Sequence, residues 1–212
     1  MNKDFFKIIN YIKNFNKNNR FGSILLIIFL IFLFLLYFTI PAYYNYENFN
    51  KQLENKVSED FKLKLKNIKK IKYLILPTPH FLIEECDLFF SDDSKEELAK
   101  VKNLRINVYI KNLHKKEKIE LKSLTLKQID FDLQFKDVKN FYNHLRKNII
   151  KPIYIKNSNF FFRDQDKKIL LISKINNIDY FFNIKNKEKN LHILGKLFGS
   201  NYNFEWSRNF DN

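Results

Sequence analysis

The sequence predicts a mainly β (α+β) protein with one N-terminal transmembrane helix, an antiparallel β domain able to form a groove, and one amphipathic helix inserted in that domain. Three patterns support this class. Residues 21–46 carry no charge, apolar and polar residues alternate from Phe61 onwards, and one helical pattern interrupts the alternation after Asp137. A strand with one apolar and one polar face is half-buried, which is typical of antiparallel sheets.

The uncharged segment is long enough to cross a bilayer. As a helix it would extend about 39 Å, against roughly 30 Å for the hydrocarbon core. It lacks the polar stripe of a buried soluble helix, and Tyr37, Tyr43, Tyr44 and Tyr46 form an aromatic belt at its far end. The centre of this membrane anchor consists of Ile24, Leu25, Leu26, Ile27, Ile28, Phe29, Leu30, Ile31, Phe32, Leu33, Phe34, Leu35 and Leu36.

The charges before the anchor predict its orientation. Residues 1–20 form a basic tail that should stay in the cytoplasm, which places the remainder outside, in the periplasm of a bacterium. A cleaved signal peptide is the alternative, but the apolar stretch is longer than the 7–15 residues usual there. We therefore expect an inner-membrane anchor at 21–46, a linking helix at 47–60 and a periplasmic β domain at 61–212.

Two helices are predicted outside the membrane. Tyr46, Phe49, Leu53 and Val57 recur every three or four residues and form the apolar face of the linking helix. In the β domain, Asp137 can cap a helix that Pro152 stops. The apolar face of this second helix consists of Val138, Phe141, Tyr142, Leu145 and Ile149.

A degenerate eight-residue repeat occurs three times in the β domain. Phe81-Leu-Ile-Glu-Glu-Cys-Asp-Leu, Leu124-Thr-Leu-Lys-Gln-Ile-Asp-Phe and Ile153-Tyr-Ile-Lys-Asn-Ser-Asn-Phe share apolar ends around a polar pair. Each copy predicts a strand that turns at the polar pair and resumes as another strand. Stacked copies would bury a core between them.

The composition excludes most kinds of chemistry. Cys86 is alone and only three glycines are present, so a disulfide scaffold and phosphate-binding glycine loops are excluded. The histidines, at positions 80, 114, 144 and 192, are not spaced as metal ligands, and the carboxylates resemble a solvated surface. We expect no catalytic, cofactor-binding or metal-binding residue, and no enzyme.

The excess of basic over acidic residues indicates which kinds of partner the protein could bind. Lys and Arg number 38 against 23 Asp and Glu, a formal net charge of +15. The lysines are scattered along strand faces and no nucleic-acid recognition motif accompanies them. We expect no nucleic acid; outside the cytoplasm, anionic lipid head groups are the available polyanion.

The arrangement resembles the AsmA-like family in its N-terminal region. The resemblance rests on the tail and anchor, on Leu63-Lys-Leu-Lys-Asn-Ile leading to Leu76-Pro-Thr-Pro-His-Phe-Leu-Ile, and on Ile119-Glu-Leu-Lys-Ser-Leu-Thr-Leu-Lys-Gln-Ile-Asp-Phe. It covers roughly residues 20–206. The family's proline-containing turn corresponds to Pro77 and Pro79. The glycine usual before the first strand is replaced here by Asp60-Phe61, and most members are far longer.

This resemblance implies a β-rich groove outside the inner membrane that binds or transfers lipids in the bacterial envelope, with phospholipid as ligand and envelope proteins as further partners. The same strand residues would fit a closed sandwich core equally well. Two other functions stay open: a lipopolysaccharide bridge like LptC, and an anchor that binds only protein partners. The candidate lipid-facing residues are Leu104, Ile106, Val108, Ile110, Ile129, Phe131 and Leu133.

Overall fold

The computed structural model describes residues 20–43, 46–90, 97–111, 113–147 and 149–209. The basic tail before residue 20 and Tyr44 of the aromatic belt lie outside these ranges. Helix α1 covers Arg20–Thr39 and continues as a 3₁₀ turn, Ile40–Tyr43; α2 covers Tyr46–Phe61 and α3 covers Val138–Arg146. The strands are β1 Leu63–Lys66, β2 Ile71–Leu74, β3 His80–Ile83, β4 Cys86–Phe90, β5 Ala99–Val101, β6 Asn103–Val108, β7 Leu121–Lys127, β8 Asp130–Gln134, β9 Ile153–Arg163, β10 Ile169–Asn183, β11 Glu188–Leu197 and β12 Ser200–Asn209.

These strands join one sheet that divides into two arms at β9. The order β2-β3-β6-β7 leads to the first half of β9 and forms arm 1, and the order β1-β4-β5-β8 leads to its second half and forms arm 2. On its other edge β9 pairs along its whole length with β10, which is followed by β11 and β12. The fold is therefore mainly β with an N-terminal apolar helix, as the sequence predicts.

The three-fold repeat marks the corner between the arms. Its copies contain the transitions from β3 to β4, from β7 to β8, and from the first to the second half of β9. Gln128 and Asn157, which share one repeat position, both have positive φ, at 54° and 50°. A residue with left-handed backbone changes the direction of its strand. The pairing continues across the corner through two hydrogen bonds, from the Gln128 N–H to the Lys156 carbonyl (3.1 Å) and from the Asn159 N–H to the Ile129 carbonyl (2.8 Å). The prediction that each copy turns and resumes as a strand is confirmed for the first two copies, whereas in the third copy β9 continues unbroken through Asn157.

The sheet is mixed, whereas the sequence predicts an antiparallel one. β9 runs parallel to β7 (Leu124 opposite Ile153) and parallel to β8 (Phe131 opposite Phe160). The connection through α3 explains the difference, because a crossover of this length brings the chain back to begin β9 in the direction of β7. Period-two alternation reports the exposure of a strand's faces but not the direction of its neighbour.

Helix α2 fills the space between the arms at one end. Phe49, Leu53, Val57 and Phe61 follow one another at four-residue intervals and are at most 1% exposed. The helix contacts β1 of arm 2 and β7 of arm 1, and the rings of Phe49 and Phe81 lie 4.9 Å apart. The linking segment is thus a core element of the domain.

Candidate functional site

An apolar cavity of about 410 Å³ lies beyond α2, between the arms and beneath α3. Its size falls in the range of small-ligand cavities, about 300–1,000 Å³. Arm 2 contributes Leu63, Leu88, Phe131 and Leu133, and β9–β12 close the other wall. Around it stand Phe90, Leu98, Leu126, Val138, Phe141, Tyr142, His144, Ile149, Ile153, Ile155, Phe160, Ile175, Ile178, Tyr180, Leu191, Ile193 and Phe204.

One row of cross-strand neighbours connects the closed core with this cavity. It consists of Ile83, Leu104, Leu126, Ile155, Ile178, Ile193 and Phe204, and it crosses seven strands from β3 to β12. Its first three members are at most 1% exposed, its next three are half-buried, and Phe204 is 48% exposed. The apolar face is therefore a core where α2 covers it and an open groove where no described element does.

Helix α3 is the cover of the cavity. Val138, Phe141 and Tyr142 point into it, although Val138 and Tyr142 remain largely exposed. The helix ends at Arg146, so that Ile149 of the predicted apolar face lies beyond it, and the Oδ2 of Asp137 accepts a hydrogen bond from the Gln134 N–H (3.3 Å) without capping α3. A helix this short depends for its stability on the packing of its apolar face, and because it covers the cavity we call it the lid.

The C-terminal end of α3 is held by Lys189 of β11. The Nζ of Lys189 donates to the carbonyls of Arg146 (3.2 Å) and Lys147, and the side chain is only 3% exposed. A cation at a helix C-terminus satisfies carbonyls that have no helical partner and opposes the helix dipole. Burial, and secondarily the charge of Arg208, lower the pKa of Lys189.

The anchor meets the domain at the connection between β6 and β7. Residues Gly22–Tyr43 are long and apolar enough to cross a membrane. Near their C-terminal end the Tyr37 hydroxyl donates to the Ile110 carbonyl (3.0 Å) and accepts from the Leu113 N–H (3.2 Å). Phe38 is buried in the domain core. The start of β7 is thereby fixed close to the end of the membrane helix.

A family model matches this architecture: residues 18–151 match the model of the AsmA family. The matched stretch includes the anchor, α2, both arms up to β9, and α3, which is more than half of the chain. The chain belongs to the AsmA family. No curated protein matches it.

The AsmA assignment and the apolar anchor describe an envelope-associated protein, and the expected resemblance is confirmed over residues 18–151. The proline turn quoted for it connects β2 and β3. There the Leu76–Pro77 peptide is cis, and Pro79 is buried and accepts a hydrogen bond from the Val108 N–H (3.2 Å). This turn ties β3 to β6 in arm 1.

The structure divides the candidate lipid-facing residues of this AsmA protein into three groups. Phe131 and Leu133 line the cavity. Ile110 lies outside β6 and is 47% exposed beside Tyr37. The remaining candidates belong to the buried core and are at most 3% exposed: Leu104, Ile106, Val108 and Ile129.

Most of the cavity wall was not singled out from the sequence. Ile178, Tyr180 and Phe204 belong to strands with alternating apolar and polar residues. The alternation predicts that these side chains face inward, but it does not predict that they line a cavity. Lys189 has no distinguishing sequence signal, since it is one basic residue in a lysine-rich chain. Its role depends on the end of a helix more than forty positions earlier.

The thiol of Cys86 is buried. Burial, followed by the charge of Asp87, raises the pKa of the Cys86 thiol to about 12, so it is a poor nucleophile. Among the described residues, no three His, Cys, Asp or Glu side chains are placed to hold a metal ion.

Proposed function

We propose that this protein is a non-catalytic lipid-binding component of the bacterial cell envelope. Helix α1 anchors it in the inner membrane with the basic tail in the cytoplasm, and the β domain shelters the acyl chain of a phospholipid in the periplasm. The observation that carries the proposal is the cavity beneath α3, whose wall is apolar and opens onto the uncovered face of β11 and β12.

The chemistry of the wall supports an acyl chain over a polar ligand. A polar solute would leave its hydrogen-bonding groups unsatisfied among leucine, isoleucine and phenylalanine side chains. Relative to exposure to water, a hydrocarbon chain gains about 0.8 kcal/mol for each CH₂ group that the cavity buries. The half-buried Ile178 and Ile193 and the exposed Phe204 would be covered by such a chain.

The position of the groove supports a supply of lipid from the adjacent membrane. β7 begins at the connection that Tyr37 holds against the anchor, and β9 runs parallel to β7. The edge of the sheet at which β9 begins therefore faces the membrane end of the molecule. A lipid that leaves the bilayer would meet the groove at this edge.

Photocrosslinking with the full-length protein in phospholipid nanodiscs tests the proposal. Benzoylphenylalanine replaces Phe204, which lines the cavity, or Phe181, whose side chain lies on the opposite face of the sheet. Both positions are aromatic and partly exposed, at 48% and 37%, so the variants are matched. Mass spectrometry then identifies the adducts.

We expect a phospholipid adduct at position 204 and little at position 181. Equal labelling at both positions would indicate contact with bulk lipid and contradict the groove. An adduct with another protein at position 204 would favour the protein-binding anchor, and a lipopolysaccharide-type adduct would favour the bridge like LptC.

A further inference from the structure

Two cations face each other on the groove side of the last hairpin. Lys189 of β11 is directly opposite Arg208 of β12. They belong to the row next to Tyr180, Leu191 and Trp206, on the same face of the sheet. The apolar surface of the groove therefore ends in a pair of positive charges.

The two positive charges repel each other, although the carbonyls at the end of α3 oppose the charge of Lys189. Like charges directly opposite on one face of an antiparallel pair destabilise the sheet. The charge of Arg208 acts on Lys189 in the direction that lowers its pKa, in addition to the larger effect of burial. The carboxylates of the adjoining strands, Asp179 and Glu205, belong to the opposite face. A bound anion on the groove face would offset the repulsion.

Lys189 and Arg208 lie where the polar head group of a bound lipid would be expected. β9 begins at Ile153, at the edge of the sheet that faces the anchor. β10 extends past the residue opposite Ile153 before it ends, and β11 begins at this same edge. A lipid whose acyl chain occupies the cavity would leave its phosphate at this edge. An arginine guanidinium offers five N–H donors in a geometry suited to phosphate oxygens.

We propose that Arg208, supported by the charge of Lys189, binds the phosphate of the lipid whose acyl chain occupies the cavity, so that the groove selects anionic phospholipids over neutral lipids of the same chain length. This inference rests on the proposed function, since it assigns the head group of the same ligand. Lys189 also holds α3, so head-group binding and the position of the lid meet at one side chain.

Quenching of Trp206, the only tryptophan of the chain, provides a direct measurement. The full-length protein in neutral detergent micelles is titrated with phosphatidylglycerol or diacylglycerol, both carrying the same dibrominated acyl chain. We expect phosphatidylglycerol to reach half-maximal quenching at a concentration lower by about fivefold or more. Arg208→Gln should reduce this preference to less than about twofold.

Lys196→Gln is the matched control, because Lys196 lies on the opposite face of β11 and its loss is the same change of charge. It should keep the preference. The variant Arg208→Gln touches no bond of α3 that the structure shows, so a lost preference in this variant would not come from an unfolded lid.

The outcomes separate the two proposals. If neither brominated lipid quenches Trp206, the acyl-chain site itself is contradicted. If both lipids quench equally in the unsubstituted protein, the groove is retained and the phosphate assignment is overturned. If inorganic phosphate without lipid changes Trp206 fluorescence and abolishes the preference, the pair binds a free anion and the lipid assignment is overturned.

Discussion

Leu104 and Phe204 belong to the same row of cross-strand neighbours, yet Leu104 is fully buried and Phe204 is 48% exposed. The first lies in the core cluster that includes the apolar face of α2, and the second lies on the last strand, in the wall of the cavity. One continuous apolar face thus serves as a folding core at one end and as a binding surface at the other. Substitutions at its two ends should have opposite consequences.

Truncation of Leu104 should cost stability, and truncation of Phe204 should cost lipid binding. We expect Leu104→Ala to lower the free energy of unfolding by about 2–5 kcal/mol, because the cavity left in a packed core cannot collapse. Phe204→Ala should lower it by about 1 kcal/mol or less, as a half-exposed cross-strand contact does. Urea unfolding of the full-length protein in mild detergent measures both values.

The same two variants are then compared by quenching of Trp206 with brominated phospholipid. Phe204→Ala should bind more weakly, whereas Leu104→Ala should bind normally at urea concentrations where it is folded. The reverse pattern would show that the ligand lies at the α2 end. For the same reason, charging Ile106 and Val108 would unfold the domain instead of testing the groove.

The bonds of Tyr37 should hold the domain against the anchor. Tyr37→Phe removes the donor to Ile110 and the acceptor for the Leu113 N–H, which is worth about 0.5–1.5 kcal/mol for each bond. We expect faster amide exchange at Leu113 in nanodiscs, measured by hydrogen–deuterium exchange. Tyr43→Phe, at a position 86% exposed, is the control. Unchanged exchange in Tyr37→Phe would argue that Phe38 alone fixes the junction.

Gly195 is required by the close approach of Tyr202. A Cβ at position 195 would lie 2.6 Å from both the Lys174 carbonyl oxygen and the Tyr202 hydroxyl, and that hydroxyl is 2.8 Å from the Ser173 Oγ. Gly195→Ala should lower the stability by about 1–3 kcal/mol, as overpacking does. Thermal unfolding measures it.

Removing the ring should restore only part of this loss. In Gly195→Ala with Tyr202→Ser, the contact with the Lys174 carbonyl persists because it involves the backbone. Tyr202→Ser alone provides the reference for the double-mutant comparison. Full recovery in the double variant would show that the ring alone excludes the methyl group.

Acidification should weaken the domain through His80. Its ring is 1% exposed, its Nδ1 lies 2.7 Å from the Thr78 carbonyl, and burial lowers its pKa from 6.5. Because the unfolded chain takes up a proton at His80 more readily than the folded chain, stability falls as the pH drops below about 6.5. Denaturant unfolding at pH 7.5 and pH 5.5 measures the difference.

His80→Asn keeps a donor for the Thr78 carbonyl and removes the titration, so it should flatten this pH dependence. His114→Asn, at an exposed site, should leave it unchanged. If His80→Asn retains the full loss between the two pH values, other carboxyl or histidine groups cause it.

The sequence by itself determined the elements and their faces. The uncharged length of residues 21–46 predicts the anchor, the four-residue spacing of Phe49, Leu53 and Val57 predicts the apolar face of α2, and the repeat predicts the corners at Gln128 and Asn157. These features depend on local periodicity and on short-range backbone preferences. They follow from residues near one another in the chain.

Only the tertiary structure decided which part of the apolar face is covered. Alternation gives Leu104 and Phe204 the same inward orientation, but their exposure depends on where α2 and α3 lie across the sheet. The parallel pairing of β9 and the meeting of Lys189, Arg208 and the end of α3 likewise depend on register between distant segments. Contacts of this kind are chosen by the packing of the whole domain, because no local pattern encodes the neighbour that a strand or helix will meet.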